Sequence, residues 1–550
     1  MSNSRKITSP TWIWLSGGMI SLCIFALLGV TLLIGWQGLQ YFWPASVYKF
    51  DVRNNQGEVD TFYGQIYQQS SVPTRQLIES GIDVVAPDEA SQKRYLIRIG
   101  DRGNEAHDFI SVLEQDLVRM TASKDLAVIE RVRGSVLYGK PVSFINDGQL
   151  HSRVFDNEEL RVLLELTRRQ VDKILDIEKR QIGRINYLLE KVRLEERSFE
   201  QQGETIPETL KQEKEELNQQ YKTLESELIK ARGLLAADDL NVKNRHGEMV
   251  AVPVSLIMDV WYPNAMSTTD KVVHWLAKVK QFIVGEPRDA NSEGGVFPAI
   301  FGTVLMVLLM SVLVMPLGVM AAVYLHEYAE KNWLTTTIRI AITNLAGVPS
   351  IVYGVFGLGF FVYFVGDGID QLFYSESLPA PTFGTPGILW SSLTLALLTL
   401  PVVIVSTEEG LARIPQTVRH GSLALGATKS ETLFRIVLPM ATPAMMTGLI
   451  LAIARAAGEV APLMLVGVVK SAPNLPLDAN FPYLHLERKF MHLGYHIYDA
   501  GFQSPNTEAA RPMVYATSFL LLTVVVGLNL LAVAVRNQLR EKYMALEQDI

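Results

Sequence analysis

Six stretches of the chain are apolar on every side: Trp12 to about Trp36, then about 296–325, 337–366, 386–407, 441–469 and 512–535. A helix crosses the roughly 30 Å hydrocarbon layer in about 20 residues, so each stretch is predicted to span a membrane. Trp12, Trp14, Trp36, Tyr41, Phe42 and Trp43 bracket the first run as interface anchors do. That run is too long for the core of a cleaved leader, and Arg5 and Lys6 precede it, so it reads as an uncleaved signal anchor.

Residues 44–295 follow other periods. Short β-type runs stand at Tyr95-Leu-Ile-Arg-Ile, Leu126-Ala-Val-Ile, Ser135-Val-Leu-Tyr and Val142-Ser-Phe-Ile. Gly100-Asp101 and Asn146-Asp147-Gly148 punctuate them. From about 157 to 235 the period becomes helical. Leu164, Val171, Ile174, Ile185, Leu188 and Val192 recur at threes, fours and sevens, with a slip near Glu178. Gly203 and Pro207 interrupt, and Leu210, Leu217, Tyr221, Leu224 and Leu228 resume a heptad seam. Each half has one apolar stripe, so the two are predicted to pair as an antiparallel hairpin, a stalk or a docking arm. Met249–Trp261 returns to β-type text, which puts the hairpin inside the sheet-rich region.

The whole is a polytopic α-helical membrane protein of six transmembrane helices with an inserted α+β soluble domain containing a helical hairpin. The expected division is 1–43 for the tail and first span, 44–295 for the insert and 296–550 for the membrane core. Composition is an average over these two materials: 48% apolar and 19% charged. The net charge of −7 and the lack of a basic stripe speak against nucleic acid. Cys23 is the one cysteine, so no intramolecular disulfide forms. Basic residues orient the spans. Lys331, Arg339, Arg413, Arg419, Lys429, Arg435, Arg536, Arg540 and Lys542 are placed in the cytoplasm, whereas 367–385 holds Asp367, Asp370 and Glu376 and no Lys or Arg. The loop at 470–511, with Lys470, Arg488, Lys489 and Arg511, runs against the rule. Residues about 44–295 then face outward.

The chemistry concentrates between Glu408 and Pro462, where a polar, basic, helix-forming segment runs into an apolar one. Leu423, Leu425, Leu433 and Phe434 give the polar part an amphipathic character fit for a partner's cleft. Gly426 allows a sharp bend or a close backbone approach, and Pro439, with Pro443 beyond, marks the turn into the fifth span. Arg455 and Glu459 lie four apart near the middle of that span and so share a face. An arginine there costs about 2.5–3.5 kcal/mol even on the lenient insertion scale. The two readings are a structural ion pair and a site that an anion meets. Gly347, Pro349 and Ser350 break the third span and frame the same path. Gly421-x4-Gly426 continues with Ala427-Thr428 where a phosphate-cradling loop needs Gly-Lys, so it is read as helical loop. His492 and His496, near His485 and Glu487, lack a clear third ligand and read as a wet interfacial segment rather than a metal site.

One resemblance rests on quoted residues. Gly426, nine residues, then Ile436-Val437-Leu438-Pro439 fits the G-x9-I-x-L-P part of the importer-permease loop. The EAA part departs: His420, Gly421 and Ser422 occupy it. With NLAGVPSIVYG at 344–354, SLTLALLTLPVVIVSTEEGL at 392–411 and ARAAGEVAPL at 454–463, the chain resembles phosphate-specific permeases of the PstA type in ABC importers. The resemblance covers the six spans and their short loops, not roughly 44–290. It implies a type I ABC importer permease in the bacterial inner membrane, with residues 44–295 in the periplasm. It further implies a PstC-type second permease, a PstB-type ATPase dimer and a PstS-type periplasmic phosphate-binding protein. This chain would bind no cofactor, ATP and Mg belonging to the ATPase. Arg455 and Glu459 would line the anion pathway, and His420, Gly421, Ser422, Gly426, Ile436, Leu438 and Pro439 would form the coupling loop. The rival readings are a permease for another oxyanion and a membrane sensor whose outer domain detects a ligand. Only about fifteen residues follow Arg536, which leaves no room for an output domain.

Overall fold

A computed structural model describes residues 10–53, 57–79, 90–100, 108–132, 136–146, 149–152, 158–235, 238–244, 247–288, 293–330, 332–504 and 507–548. Arg5, Lys6, Asp101, Ser135, Asp147, Gly148, Asn157 and Lys331, which the sequence reading used, lie outside the described residues, as do the side chains of Trp12, Arg540 and Lys542. The chain divides into two compact units, residues 42–281 and residues 1–41 with 282–550.

In the first of these, strands β1 (Val47–Arg53), β2 (Val59–Pro73), β3 (Ser91–Arg98), β4 (Phe109–Leu113) and β5 (Leu117–Ala122) form an antiparallel sheet in the order β4-β3-β2-β1-β5. A second sheet runs β10-β9-β7-β6-β11, with β8 on β7. Its strands are β6 (Ala127–Arg131), β7 (Leu137–Asn146), β8 (Gln149–His151), β9 (Asp239–Lys243), β10 (Met249–Pro253) and β11 (Ile257–Trp261). The two β-type runs expected at 135–138 and 142–145 are one strand, with a register shift at Pro141/Ser143 where proline lacks the ladder donor. Alternate residues of β1–β3 bury Phe50, Phe62 and Ile97 in one core, and β7 and β9 bury Phe144 and Leu240 in another.

The helical hairpin leaves after β8 and returns into β9, inside the second sheet. Its first arm is Glu158–Leu175, a π-helical stretch Asp176–Ile182, then Gly183–Gln202. That widening is the slip in the heptads near Glu178, since an extra residue per turn resets the apolar stripe. Gly203 closes the arm at φ 71°, a left-handed cap that glycine takes without strain. The second arm is Glu208–Leu235, and Ile185, Val192, Leu210 and Leu217 pack between the arms. The sequence reading passed over one helix, Thr268–Val284, whose apolar face includes Phe282.

Among its described residues the other unit holds six helices long and apolar enough to cross a membrane: Trp14–Gln40, Phe297–Tyr328, Ser350–Phe373, Ile388–Ala412, Lys429–Gly458 and Ala510–Leu539. The fourth is the most buried, and small residues let its neighbours approach it. A Cβ on Gly318 of the second span would sit 2.6 Å from Val403, and one on Gly448 of the fifth 2.8 Å from Ser406. Met306, Met310, Leu395, Leu398, Ala452 and Ala456 meet in the resulting core. The first span packs on the sixth, where Gly38 abuts the backbone of Ala516. Two spans differ from the expected bounds. The third has the expected break at 347–350, but its two parts reach from Trp333–Leu345 to Ser350–Phe373, beyond 337–366 at both ends. The fifth starts twelve residues before 441, at Lys429, and stops at Gly458 instead of running to 469.

Candidate functional site

The fifth span stops for a covalent reason. Pro462 has no N–H to give Gly458 and its ring would clash with that carbonyl, so an uninterrupted helix cannot pass. The chain extends at Glu459 (φ −77°, ψ 133°) and re-enters a short helix, Ala461–Val466. Arg455 therefore lies in the last turn and Glu459 just beyond the helix, not mid-helix as the sequence suggested. Their side chains still meet, with Arg455 Nε 3.6 Å from Glu459 Oε1. That is an ion pair too long for a hydrogen bond. The Arg455 side chain keeps 33% of its surface exposed, and no hydrogen bond claims its donors among the described residues.

The break in the third span meets the break in the fifth. Pro349 caps the helix that begins at Ser350, with extended ψ of 134°. One turn on, Gly354 lies against Pro462: a Cβ there would be 2.6 Å from the proline Cα. Tyr353, next to it, donates from its hydroxyl to Leu345 O at 2.8 Å across the break and lies within electrostatic reach of Arg455. The structure thus brings the 347–354 segment and the 455–463 segment together. Gly347 permits no close approach, since a Cβ there would meet only Asn344 O, at 3.4 Å. Tyr353 was not singled out from the sequence; its place one residue before Gly354 in a broken span was the available signal.

The polar segment ahead of the fifth span is a helix, Gln416–Ala424, then a turn, then the span itself. Gly426 makes the turn at φ 89°, with open space around it, so it supplies the bend and no close approach within this chain. Thr428 and Glu431 form a reciprocal capping box that starts the next helix. Pro439 does not mark a turn. The helix runs through it, because a π-helical stretch Leu433–Val437 loosens the bonding at Ile436 just before Leu438 and Pro439. His420 and Gly421 are exposed, whereas Ser422 is buried and shares a 2.8 Å hydrogen bond with Thr432 across the turn. Leu433 packs inward with Leu411 and Ile414. Leu425 is 91% exposed and Phe434 66%, so these two project at the tip with little cover among the described residues.

Gly421–Gly426 is helix and turn with no strand before it, so nothing there cradles phosphate as a P-loop does. His492 and His496 are fully buried, not wet. His492 caps the helix Leu493–Tyr498 and His496 lies on it, and the helix meets the second span where Leu493 N donates to Thr303 Oγ1 at 2.9 Å. Burial pushes both imidazoles down to about 4. Among the described residues no three His, Cys, Asp or Glu side chains group as metal ligands.

Comparison with known proteins places this geometry. Residues 314–541 match the family described as binding-protein-dependent transport system inner membrane component. Over 245 residues the chain is 36% identical to the phosphate transport system permease protein PstA of Mycobacterium leprae (strain TN), covering 44% of this chain and 71% of that one. It is 33% identical over 194 residues to the probable ABC transporter permease protein YqgH of Bacillus subtilis (strain 168), covering 35% of this chain and 59% of the relative. With PstA of Yersinia pestis the identity is 36% over 178 residues, 32% of this chain and 54% of the relative. The chain thus spans between about half and seven-tenths of the length of these relatives. Among solved structures, an inward-facing MetNI methionine ABC transporter is 17% identical, with a TM-score of 0.31, over 44% of this chain and 94% of that one. This chain is a multi-pass membrane protein with a permease core and an additional soluble region rich in strands, and it belongs to the family of binding-protein-dependent transport system inner membrane components.

Proposed function

We propose that the chain is the transmembrane permease subunit of an ATP-driven phosphate importer in the bacterial inner membrane, with residues about 44–295 in the periplasm. The observation that carries this reading is Arg455, an arginine with unclaimed donors at a broken span inside the family-matched stretch 314–541. A guanidinium offers a phosphate both charge and a planar fork of donors. Glu459, 3.6 Å away, holds the arginine while the site is empty and keeps a passing anion from being trapped. The names of the relatives in Mycobacterium leprae and Yersinia pestis support phosphate over other oxyanions.

The Gln416–Ala424 helix is the coupling helix in this reading, and exposed Leu425 and Phe434 insert into the ATPase. A PstB-type ATPase dimer binds ATP and Mg; this chain holds neither. A PstC-type permease forms the other half of the pathway, and a PstS-type periplasmic protein delivers the anion. Closure of the ATPases moves the coupling helix and switches the side to which the cavity opens. The test is radiolabelled phosphate uptake in cells with and without the chain, with sulfate and molybdate as competitors. Loss of uptake without the chain, and no competition by either oxyanion, is the expected result. Unchanged uptake defeats the reading, and strong sulfate or molybdate competition reassigns the substrate.

A further inference from the structure

Two arginines at one end of the membrane unit make a reciprocal pattern. Arg419, on the Gln416–Ala424 helix, donates from Nη2 to Leu411 O at 2.8 Å, at the end of the fourth span. The same nitrogen is 3.0 Å from Glu327 Oε1, at the end of the second. Arg339, on the Trp333–Leu345 helix, does the converse. Its Nη2 donates to Leu325 O of the second span at 2.6 Å and lies 3.3 Å from Glu408 Oε1 of the fourth. Each guanidinium thus joins a terminal carbonyl of one span to a carboxylate of the other. Helix C-termini present unbonded carbonyls and partial negative charge, so cations suit both places.

The coupling helix is continuous in sequence with the fourth and fifth spans only. The second span reaches it through Arg419–Glu327, supplemented by Lys429 Nζ, 5.4 Å from the centre of the Tyr328 ring. The contact is well shielded, with the Arg419 side chain 11% exposed and Glu327 19%, so salt screens it less than a surface pair. It is also incompletely matched. Arg419 Nε is buried without a hydrogen-bond partner among the described residues, and Glu408 Oε1 is buried with the 3.3 Å ion contact to Arg339 but no hydrogen bond. Beside them lies a cavity of ≈ 870 Å³ lined in part by His326, Arg339, Arg419 and Lys429. A spare donor, a loosely held carboxylate oxygen and adjoining space give the clamp somewhere to move.

We infer that Arg419 and Glu327, with Arg339 and Glu408 as the reciprocal pair, are positioning residues that transmit movement of the coupling helix to the ends of the second and fourth spans. This rests on the importer reading above. Without the clamp the ATPase moves the coupling helix, the fourth and fifth spans follow through the chain, and the second span does not. Hydrolysis then continues while import falls.

The test is the assembled importer in proteoliposomes, with phosphate uptake and ATP hydrolysis measured on the same vesicles. Arg419→Gln and Glu327→Gln are expected to lower phosphate imported per ATP at least about fivefold, the lower bound for a coupling interaction, while hydrolysis persists. The double exchange Arg419→Glu with Glu327→Arg recovers part of the ratio, which a merely structural loss would not. An unchanged ratio in both single variants overturns the inference. Should Arg419→Gln fail to accumulate, Arg419→Lys decides. Lysine keeps the charge but lacks the fork that reaches two partners, so a ratio equal to native overturns the inference and a reduced one supports it. Absence of ATP-dependent phosphate uptake by the native assembly overturns the importer reading itself, and the inference with it.

Discussion

Two charged clusters of this chain handle a cation in opposite ways. In the soluble unit Lys278 is enclosed: its ammonium lies 2.5 Å from Glu130, 2.9 Å from Asp259 and 4.6 Å from the centre of the Trp261 ring. Burial works against that ammonium, yet the two carboxylates outweigh it and hold its pKa above the usual range. In the membrane unit Arg455 has one carboxylate, 3.6 Å away, and a third of its side chain exposed. A cation with every direction occupied can only hold structure. A cation with donors unclaimed, in a place where charge is expensive, is available to a ligand. Partner count and spacing, more than charge, distinguish scaffold from site.

The sharpest way to break this comparison is at Arg455. Arg455→Gln is expected to lower phosphate uptake by about a hundredfold, the scale on which loss of one charge-stabilising donor acts, with membrane abundance unchanged. Arg455→Lys restores part, since charge returns without the fork. Glu459→Gln alters uptake and leaves abundance alone. If abundance falls in step with uptake in all three, measured by immunoblot beside radiolabelled uptake, the pair is structural and the contrast with Lys278 disappears.

Lys278→Met is the converse. It strands two carboxylates, and removing one partner of a buried ion cluster costs about 3 kcal/mol or more. At 1.4 kcal/mol per decade that is about a hundredfold loss of protection, read by amide hydrogen exchange in β6 and β11 of the full chain. Full protection would show that Lys278 is as loosely held as Arg455.

A smaller effect is expected at the turn before the fifth span. Gly426→Val forces a β-branched residue into φ 89° at about 1–2 kcal/mol. Among the described residues nothing comes within 4 Å of a Cβ at Gly426, so the strain turns the Gln416–Ala424 helix instead of unfolding a core. Copurification of the ATPase subunit should fall by about tenfold at that cost; native recovery would detach Gly426 from docking.

These sites differ in how far the sequence disclosed them. Apolar length named all six spans, and the heptads of the hairpin were legible down to the slip at Glu178, because side-chain period is a local property. Arg455 and Glu459 stood out as charges in an apolar run. Their true setting did not, because the apolar run continues past Pro462, and run length alone does not show that this proline ends the helix at Gly458. The Pro439 turn failed for the opposite reason: a π-helical stretch absorbed a residue that usually ends helices. Arg419–Glu327 and Arg339–Glu408 join residues 92 and 69 positions apart, and no period links them. Lys278 was hidden because its helix, Thr268–Val284, went unread.

The last prediction concerns a third kind of buried cation-former, one kept neutral. His492 and His496 have no carboxylate contact like those of Lys278 or Arg455, and burial lowers both to about 4 from 6.5. For His496 burial is the largest influence; Asp499 pulls the value up and Lys470 pulls it down. A histidine whose folded pKa is depressed binds fewer protons folded than unfolded between the two values. Its stabilising neutrality is therefore complete above about pH 6.5, declines as pH falls toward 4, and declines no further below that. At pH 5.5 the loss is about 1 kcal/mol for each histidine, in a segment that Leu493 and Thr303 tie to the second span. Amide exchange across residues 485–503 should therefore quicken by about thirtyfold between pH 7 and pH 5.5, after correction for intrinsic rates, the two losses adding to about 2 kcal/mol, while β2 and β3, which hold no histidine, do not change. A flat response in 485–503 would mean that a proton is accommodated there, and that these imidazoles belong with Arg455 among groups open to a partner.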